Sequence, residues 1–158
     1  MAKVLVLYHS QEYGNTAAMA KALAEGLRAA GCDVDLFNTN EGRFDITRFP
    51  QYAGVAFGSP DYDSYLAGGL KAFLDDHYIY KVHKKLKRIT GKPYVLFYSH
   101  GGGGKVRDVI IKVFQDYGIG TLVAEPVGSQ GQPTSLVEEQ CRSLGKLLAE
   151  TVLKKEKK

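Results

Sequence analysis

The residues best suited to chemistry fall in three short stretches: Ser10-Gln-Glu-Tyr-Gly-Asn-Thr16, Gly58-Ser-Pro-Asp-Tyr-Asp-Ser-Tyr65 and Tyr98-Ser-His-Gly-Gly-Gly-Gly104. The first supplies the hydroxyls of Ser10 and Thr16, the amide of Asn15 and a flexible Gly14, just ahead of a helical pattern. With the free N–H groups at a helix start, these are the parts of an anion nest, which holds a phosphate through backbone dipoles and needs no lysine. Capping of that helix by Asn15 or Thr16 accounts for the same residues equally well. The second stretch offers Tyr62, whose ring can cover a flat heterocycle. Beside it, Asp61 and Asp63 would disfavour negative charge on a neighbouring ligand, or else face solvent or bond the turn backbone. The third lets the backbone approach a ligand closely and presents His100, a residue type suited to proton donation but more often structural. Gly104-Lys105 has the look of a nucleotide-hydrolase phosphate loop, but Val106 replaces the required Ser or Thr and Ser99 the first Gly. Nucleotide hydrolysis is excluded on that ground.

Apolar patterning supplies elements that bring these loops together. Lys3 to Tyr8 is a short apolar run that suits a strand buried on both faces. Met19, Ala22, Leu23, Gly26, Leu27 and Ala30 then recur at helical spacing, ended by Gly31. Cys32 to Phe37 alternates polar and apolar residues, as a sheet-edge strand does. Ala53 to Gly58 and Pro93 to Tyr98 read as further buried strands. Leu66, Leu70, Phe73 and Leu74 mark a second helix, with His77 to Gly91 extending or restarting it. Val106 to Tyr117 is the clearest amphipathic helix, stopped by Gly118. Thr121 to Ala124 is the last strand, and Ser135-Leu-Val-Glu138 reads as the capping box of a final helix. This alternation predicts an α/β fold: a doubly wound, five-stranded parallel sheet of order 2-1-3-4-5 with helices on both faces. In that order the loops after strands one, three and four converge at the switch point where ligands bind.

The three stretches, in this order after these strands, resemble the FMN-binding loops of flavodoxins and of flavodoxin-like quinone reductases over nearly the whole chain. The resemblance implies FMN as cofactor, its phosphate held by Ser10, Tyr13, Gly14, Asn15 and Thr16. Ser59, Pro60, Asp61, Tyr62, Ser99, His100, Gly101 and Gly102 would line the ring, with Tyr62 stacked on it. It also implies either an electron carrier working with a redox partner protein or a reductase using NAD(P)H and a quinone, in which His100 is the candidate catalytic residue. The phosphate loop is one residue longer than the usual flavodoxin version, so Glu12 is expected to point away from the phosphate. In that family a backbone peptide beside the flavin flips on one-electron reduction, helped by a glycine; Ser59 to Tyr65 contains none. One-electron reduction is therefore expected to be only modestly favoured, since a non-glycine residue at positive φ costs about 1 kcal/mol or more. A flavin-free receiver domain of the same fold needs clustered acids after the first strand, where this chain has Tyr8-His-Ser10.

The chain has 158 residues, 44% of them hydrophobic, enough for one domain with its own core. Residues 1–153 are assigned to it and 154–158 to a basic tail. Cys32 and Cys141 lie far apart without metal-ligand spacing, so no disulfide framework or zinc site is expected. The apolar run at the N-terminus is too short for a leader or a membrane span, which points to the cytoplasm. The formal net charge of +4 gathers in Lys81 to Arg88 and in the tail. These read first as solvated surface, second as a docking face for an acidic partner protein, and last as a nucleic-acid contact.

Overall fold

A computed structural model describes residues 1–157. Its elements follow in the order β1 (Lys3–Tyr8), α1 (Asn15–Ala29), β2 (Asp33–Asn38), a 3-10 helix (Ile46–Gln51), β3 (Gly54–Pro60), α2 (Gly68–Tyr78), a π turn (Ile79–His83), β4 (Lys92–His100), α3 (Val106–Tyr117), β5 (Gly120–Leu122), β6 (Val127–Gln130) and α4 (Ser135–Glu156). All strand pairs are parallel, and the sheet runs β2-β1-β3-β4-β5, as the alternation of elements predicts.

Side-chain alternation along the central strands feeds two cores. Val4, Val6, Ala56, Val95 and Phe97 point toward α1 and α4, where Leu23, Leu27, Cys141 and Leu148 meet them. Leu5, Leu7, Val55, Phe57 and Leu96 point the other way, onto Phe49, Phe73, Leu74, Ile110 and Phe114. Because both faces are covered, these strands carry no polar side, which is why they read as unbroken apolar runs. Helices α1 and α4 touch backbone to backbone at Gly26 and Gly145. A Cβ at Gly26 would lie 2.1 Å from the Arg142 carbonyl oxygen, and one at Gly145 would lie 2.3 Å from that of Leu23. Both cysteines are buried and unpaired. No helix among the described residues is long and apolar enough to cross a membrane.

Four local expectations are corrected. The fifth strand position holds two short segments: β5 pairs with Lys92–Tyr94 and β6 with Phe97–His100. Glu125-Pro126, just ahead of a four-residue strand with little apolar pattern, hid the second. The extension of α2 holds only for one π-helical stretch, Ile79–His83; beyond it residues 84–91 are irregular, with Leu86 and Ile89 turned inward while Val82 stays exposed. Helix α4 is capped by Thr134, whose hydroxyl accepts from the Val137 N–H at 3.3 Å, so Ser135 is its first residue and Glu138 is free to face Arg142. The same helix runs to Glu156, so the basic tail is largely its last turn; Lys158 lies outside the described residues.

Candidate functional site

The carboxyl ends of β1, β3, β4 and β6 stand level, with Tyr8 beside Gly58, Pro60 beside Ser99 and His100 beside Gln130. Their loops enclose a crevice of about 250 Å³ lined by residues 10–16, Pro60, Asp61, Tyr62, Ser99, His100, Gly101 and Gly131. That volume falls just below the range of pockets that engulf a drug-sized ligand, so an occupant of flavin size would keep an edge in solvent.

The phosphate-loop candidate opens α1 without a side-chain cap. Gly14 occupies the N-cap position at φ 72°, ψ 16°, a conformation that costs glycine nothing. Asn15 and Thr16 are thus the first helical residues and cap nothing. Instead, the Ser10 hydroxyl accepts from the Ala17 N–H at 3.2 Å, and the Thr16 and Ser99 hydroxyls bond each other at 2.8 Å. Among the described residues, the N–H groups of 11–16 find no protein acceptor, while the Gly14 carbonyl accepts from the Ala18 N–H at 3.0 Å. Unsatisfied donors at a helix start, with the positive end of its dipole, are what an anion requires.

Residues that the sequence did not single out hold this loop in place. Asn38, at the end of β2, brackets Ser10: its Oδ1 accepts from the Ser10 N–H and its Nδ2 donates to the Ser10 carbonyl, both at 3.0 Å. His9 bonds Thr39 through Nδ1 at 2.9 Å and Gln11 through Nε2 at 3.1 Å. Its ring meets that of Tyr62 edge-on, with centroids 5.8 Å apart.

Tyr62 and Tyr65 exchange backbone hydrogen bonds around a two-residue turn in which Asp63 and Ser64 hold φ of 56° and 64°. That is the hairpin turn normally built on glycine. Asp61 supports it: one carboxylate oxygen accepts from the Ser64 N–H at 2.7 Å and the other from the Val106 N–H at 3.1 Å, at the start of α3. Its own N–H donates to the Ser99 carbonyl at 2.8 Å. Of the two readings of this aspartate, bonding to the turn backbone is the one observed. The Tyr62 hydroxyl faces the Glu12 carboxylate at 3.3 Å, and burial, reinforced by that charge, pushes the phenol above its ordinary range. The extra residue of the loop therefore leans across the crevice mouth, away from the open N–H groups.

His100 packs against Tyr98 with centroids 5.9 Å apart, and its Nδ1 is buried without a hydrogen-bond partner. The ring itself lines the crevice wall. Tyr13 stands 88% exposed at the mouth, free to fold over whatever enters.

The crevice thus gathers every predicted site residue except two. Ser59 is buried behind it, its hydroxyl accepting from the Ala67 N–H at 3.1 Å, and Gly102 lies outside the lining. Gln11, Glu12 and Gly131 are added. Gly131 was signalled only by Gly-Gln-Pro following a strand too short to recognise. The donor set suits a flat cofactor that carries an anion: open N–H groups at one end, with Tyr62 and His100 at the other.

The flavodoxin family model matches residues 6–144. An NAD(P)H dehydrogenase (quinone) of Azorhizobium caulinodans is 31% identical over 151 residues, 84% of this chain and 75% of that one. Among solved structures, an archaeal flavodoxin superposes with a TM-score of 0.78 at 23% identity, covering 95% of this chain and 98% of that one. The flavodiiron protein of Giardia intestinalis gives 0.81 at 26% identity, but this chain spans only 36% of it. With the match running from the first strand into the last helix, the chain belongs to the flavodoxin family, whose members imply a flavin cofactor.

Proposed function

We propose that the crevice holds FMN and that the protein is a redox carrier, passing electrons to and from a partner protein. The observation that carries this reading is the row of unsatisfied N–H groups from residue 11 to 16, facing the same cavity as Tyr62 and His100. Gly14, Asn15 and Thr16 hold the phosphate through backbone donors and the dipole of α1, Ser10 adds its hydroxyl, and Tyr13 closes over the mouth. Pro60, Tyr62, Ser99 and Gly101 border the ring. Asp61 acts behind them, fixing the turn to β4 and α3, with Ser59 and Gly102 at the back and the rim. When bound, the flavin supplies the electron chemistry, and the chain supplies binding, orientation and electrostatics. No Lys or Arg lines the crevice, while Glu12 and Asp61 do. The chain therefore disfavours extra negative charge beside the ring, which lowers the potential. Heating the purified protein should release a yellow compound identifiable as FMN; a colourless protein that takes up no added FMN overturns the reading.

A second reading, an NAD(P)H-dependent quinone reductase, is favoured by the place of His100 in the crevice lining and by the likeness to the Azorhizobium enzyme. An imidazole free of other partners can donate a proton to a quinone oxygen as charge develops there. Turnover of a quinone by NADH without any added reductase supports this reading, and its absence supports the carrier.

A further inference from the structure

The excess of positive over negative charge in this chain is gathered far from the crevice. Residues 77–92 carry six Lys or Arg and no Asp or Glu, more than the net +4 of the whole chain, so the remainder is net negative. This segment leads into β4, and the strand's length puts it about 26 Å from the crevice at 3.3 Å per residue. The end of α4 joins it, with Lys155 Nζ donating to the Gly91 carbonyl at 3.1 Å.

The segment is anchored rather than frayed. Tyr80, Leu86 and Ile89 pack onto the core. The Lys84 N–H donates to the Ile79 carbonyl at 3.0 Å, the Leu86 N–H to that of Tyr80 at 2.8 Å, and Lys81 Nζ to that of Tyr117 at 2.6 Å. What remains outward is a mixed surface. Tyr78, Ile79 and Val82 are 46%, 40% and 44% exposed. Beside them Lys84, Lys85, Lys87 and Arg88 join no ion pair among the described residues. Lys85 and Arg88 also hold φ of 53° and 62°. Long side chains in that region are strained and persist only where the surroundings hold them.

We propose that this pole docks on an anionic lipid bilayer, with Tyr78, Ile79 and Val82 entering the headgroup boundary and the four cations meeting lipid phosphates. A nucleic-acid backbone would use the cations but gain nothing from Ile79 and Val82, and protein interfaces are depleted in lysine. A bilayer surface uses both components. Docked this way, the protein turns its crevice toward the aqueous phase. The inference does not depend on what the crevice holds.

Sedimentation of the full chain with lipid vesicles tests it, using phosphatidylcholine alone or mixed with phosphatidylglycerol. Binding is expected only to the anionic vesicles and should weaken as salt rises. Reversing Lys84, Lys85 and Lys87 to Glu should weaken it at least about 100-fold, since each basic residue near the leaflet contributes about fivefold. Ile79→Ser with Val82→Ser keeps the charge and should weaken it about fivefold or more. Circular dichroism matched to the unsubstituted chain shows that each variant folds; should the charge reversal fail to fold, salt dependence and the serine pair carry the test. No binding to anionic vesicles overturns the proposal, as does binding indifferent to the serine pair or tighter binding to duplex DNA.

Discussion

The crevice at the carboxyl end of the sheet has no Lys or Arg in its lining, whereas residues 77–92, leading into the amino end of β4, carry six and no Asp or Glu of their own. At the crevice, the donors are backbone N–H groups fixed by Gly14 and the start of α1, and the nearby carboxylates of Glu12 and Asp61 are turned to Tyr62 and to backbone. At the other pole, Lys92 is only 6% exposed; its ammonium donates to the Tyr52 carbonyl at 2.5 Å and lies 5.0 Å from the Phe49 ring centroid. Burial pushes it down to about 8, with Arg88 and Lys155 adding repulsion. The lesson is that net charge says little about a site. A parallel sheet separates its two ends by a strand length, beyond the Debye length of about 8 Å at physiological salt, so each end is electrostatically its own surface. An acidic partner inferred from the +4 would meet the pole away from the crevice.

Substitutions at each pole can break or sharpen this contrast. The largest effect is expected from Gly14→Val, which forces a β-branched residue to positive φ and turns the N–H groups aside. FMN affinity, read by quenching of flavin fluorescence, should fall at least about 100-fold, consistent with the loss of several charge-assisted bonds. Unchanged affinity would mean that dipoles are not what holds the phosphate.

Next, Asp61→Ala leaves the Ser64 and Val106 N–H groups without their acceptor and should cost about 2 kcal/mol in urea unfolding. It should also weaken FMN binding, because the Tyr62 turn loses its tie to α3. Stability lost with FMN affinity intact would show that the turn does not border the flavin.

At the opposite pole, Lys92→Met should stabilise the chain at neutral pH by about 1 kcal/mol, the relief of a buried charge offset by the lost bond to Tyr52. The sign with pH follows from the shift. A folded value of about 8 against about 10.4 unfolded means that the unfolded chain binds more protons between those values. The penalty is thus complete below pH 8 and fades as pH rises toward 10.4. The advantage of Lys92→Met over the unsubstituted chain should shrink across that window; a constant difference would place the ammonium in solvent.

The smallest effects are expected where the two poles are alike. Ser64 and Arg88 both sit at positive φ. Replacing either with Gly should stabilise by about 0.5 kcal/mol, the relief of the left-handed conformation less the entropy that glycine adds to the unfolded chain. Ser64→Gly should in addition alter the flavin potential, which Arg88→Gly should leave alone.

Much of the fold was legible because buried strands and amphipathic helices write their environments into local pattern. Lys3 to Tyr8 is β1, and Gly118 at φ 71° ends α3, both where the sequence placed them. The misreadings fall where pattern is weak. β6 is four residues long and borrows its pairing from β4, and Thr134 rather than Ser135 caps α4 because a cap depends on backbone geometry that two adjacent hydroxyl residues leave open. Residues 79–91 carry too few inward side chains for any period to show.

By itself the sequence determined the order of strands, the three loops and the residue types at the crevice, since each depends on neighbours a few positions apart. Only the tertiary structure decided what those residues do. Whether Thr16 caps a helix or bonds Ser99, whether Asp61 faces a ligand or the N–H of Val106, and whether Glu12 turns inward or to Tyr62 depend on partners some 45 to 83 positions away. Such bonds leave no trace in local spacing, and they separate a capped helix start from an anion site.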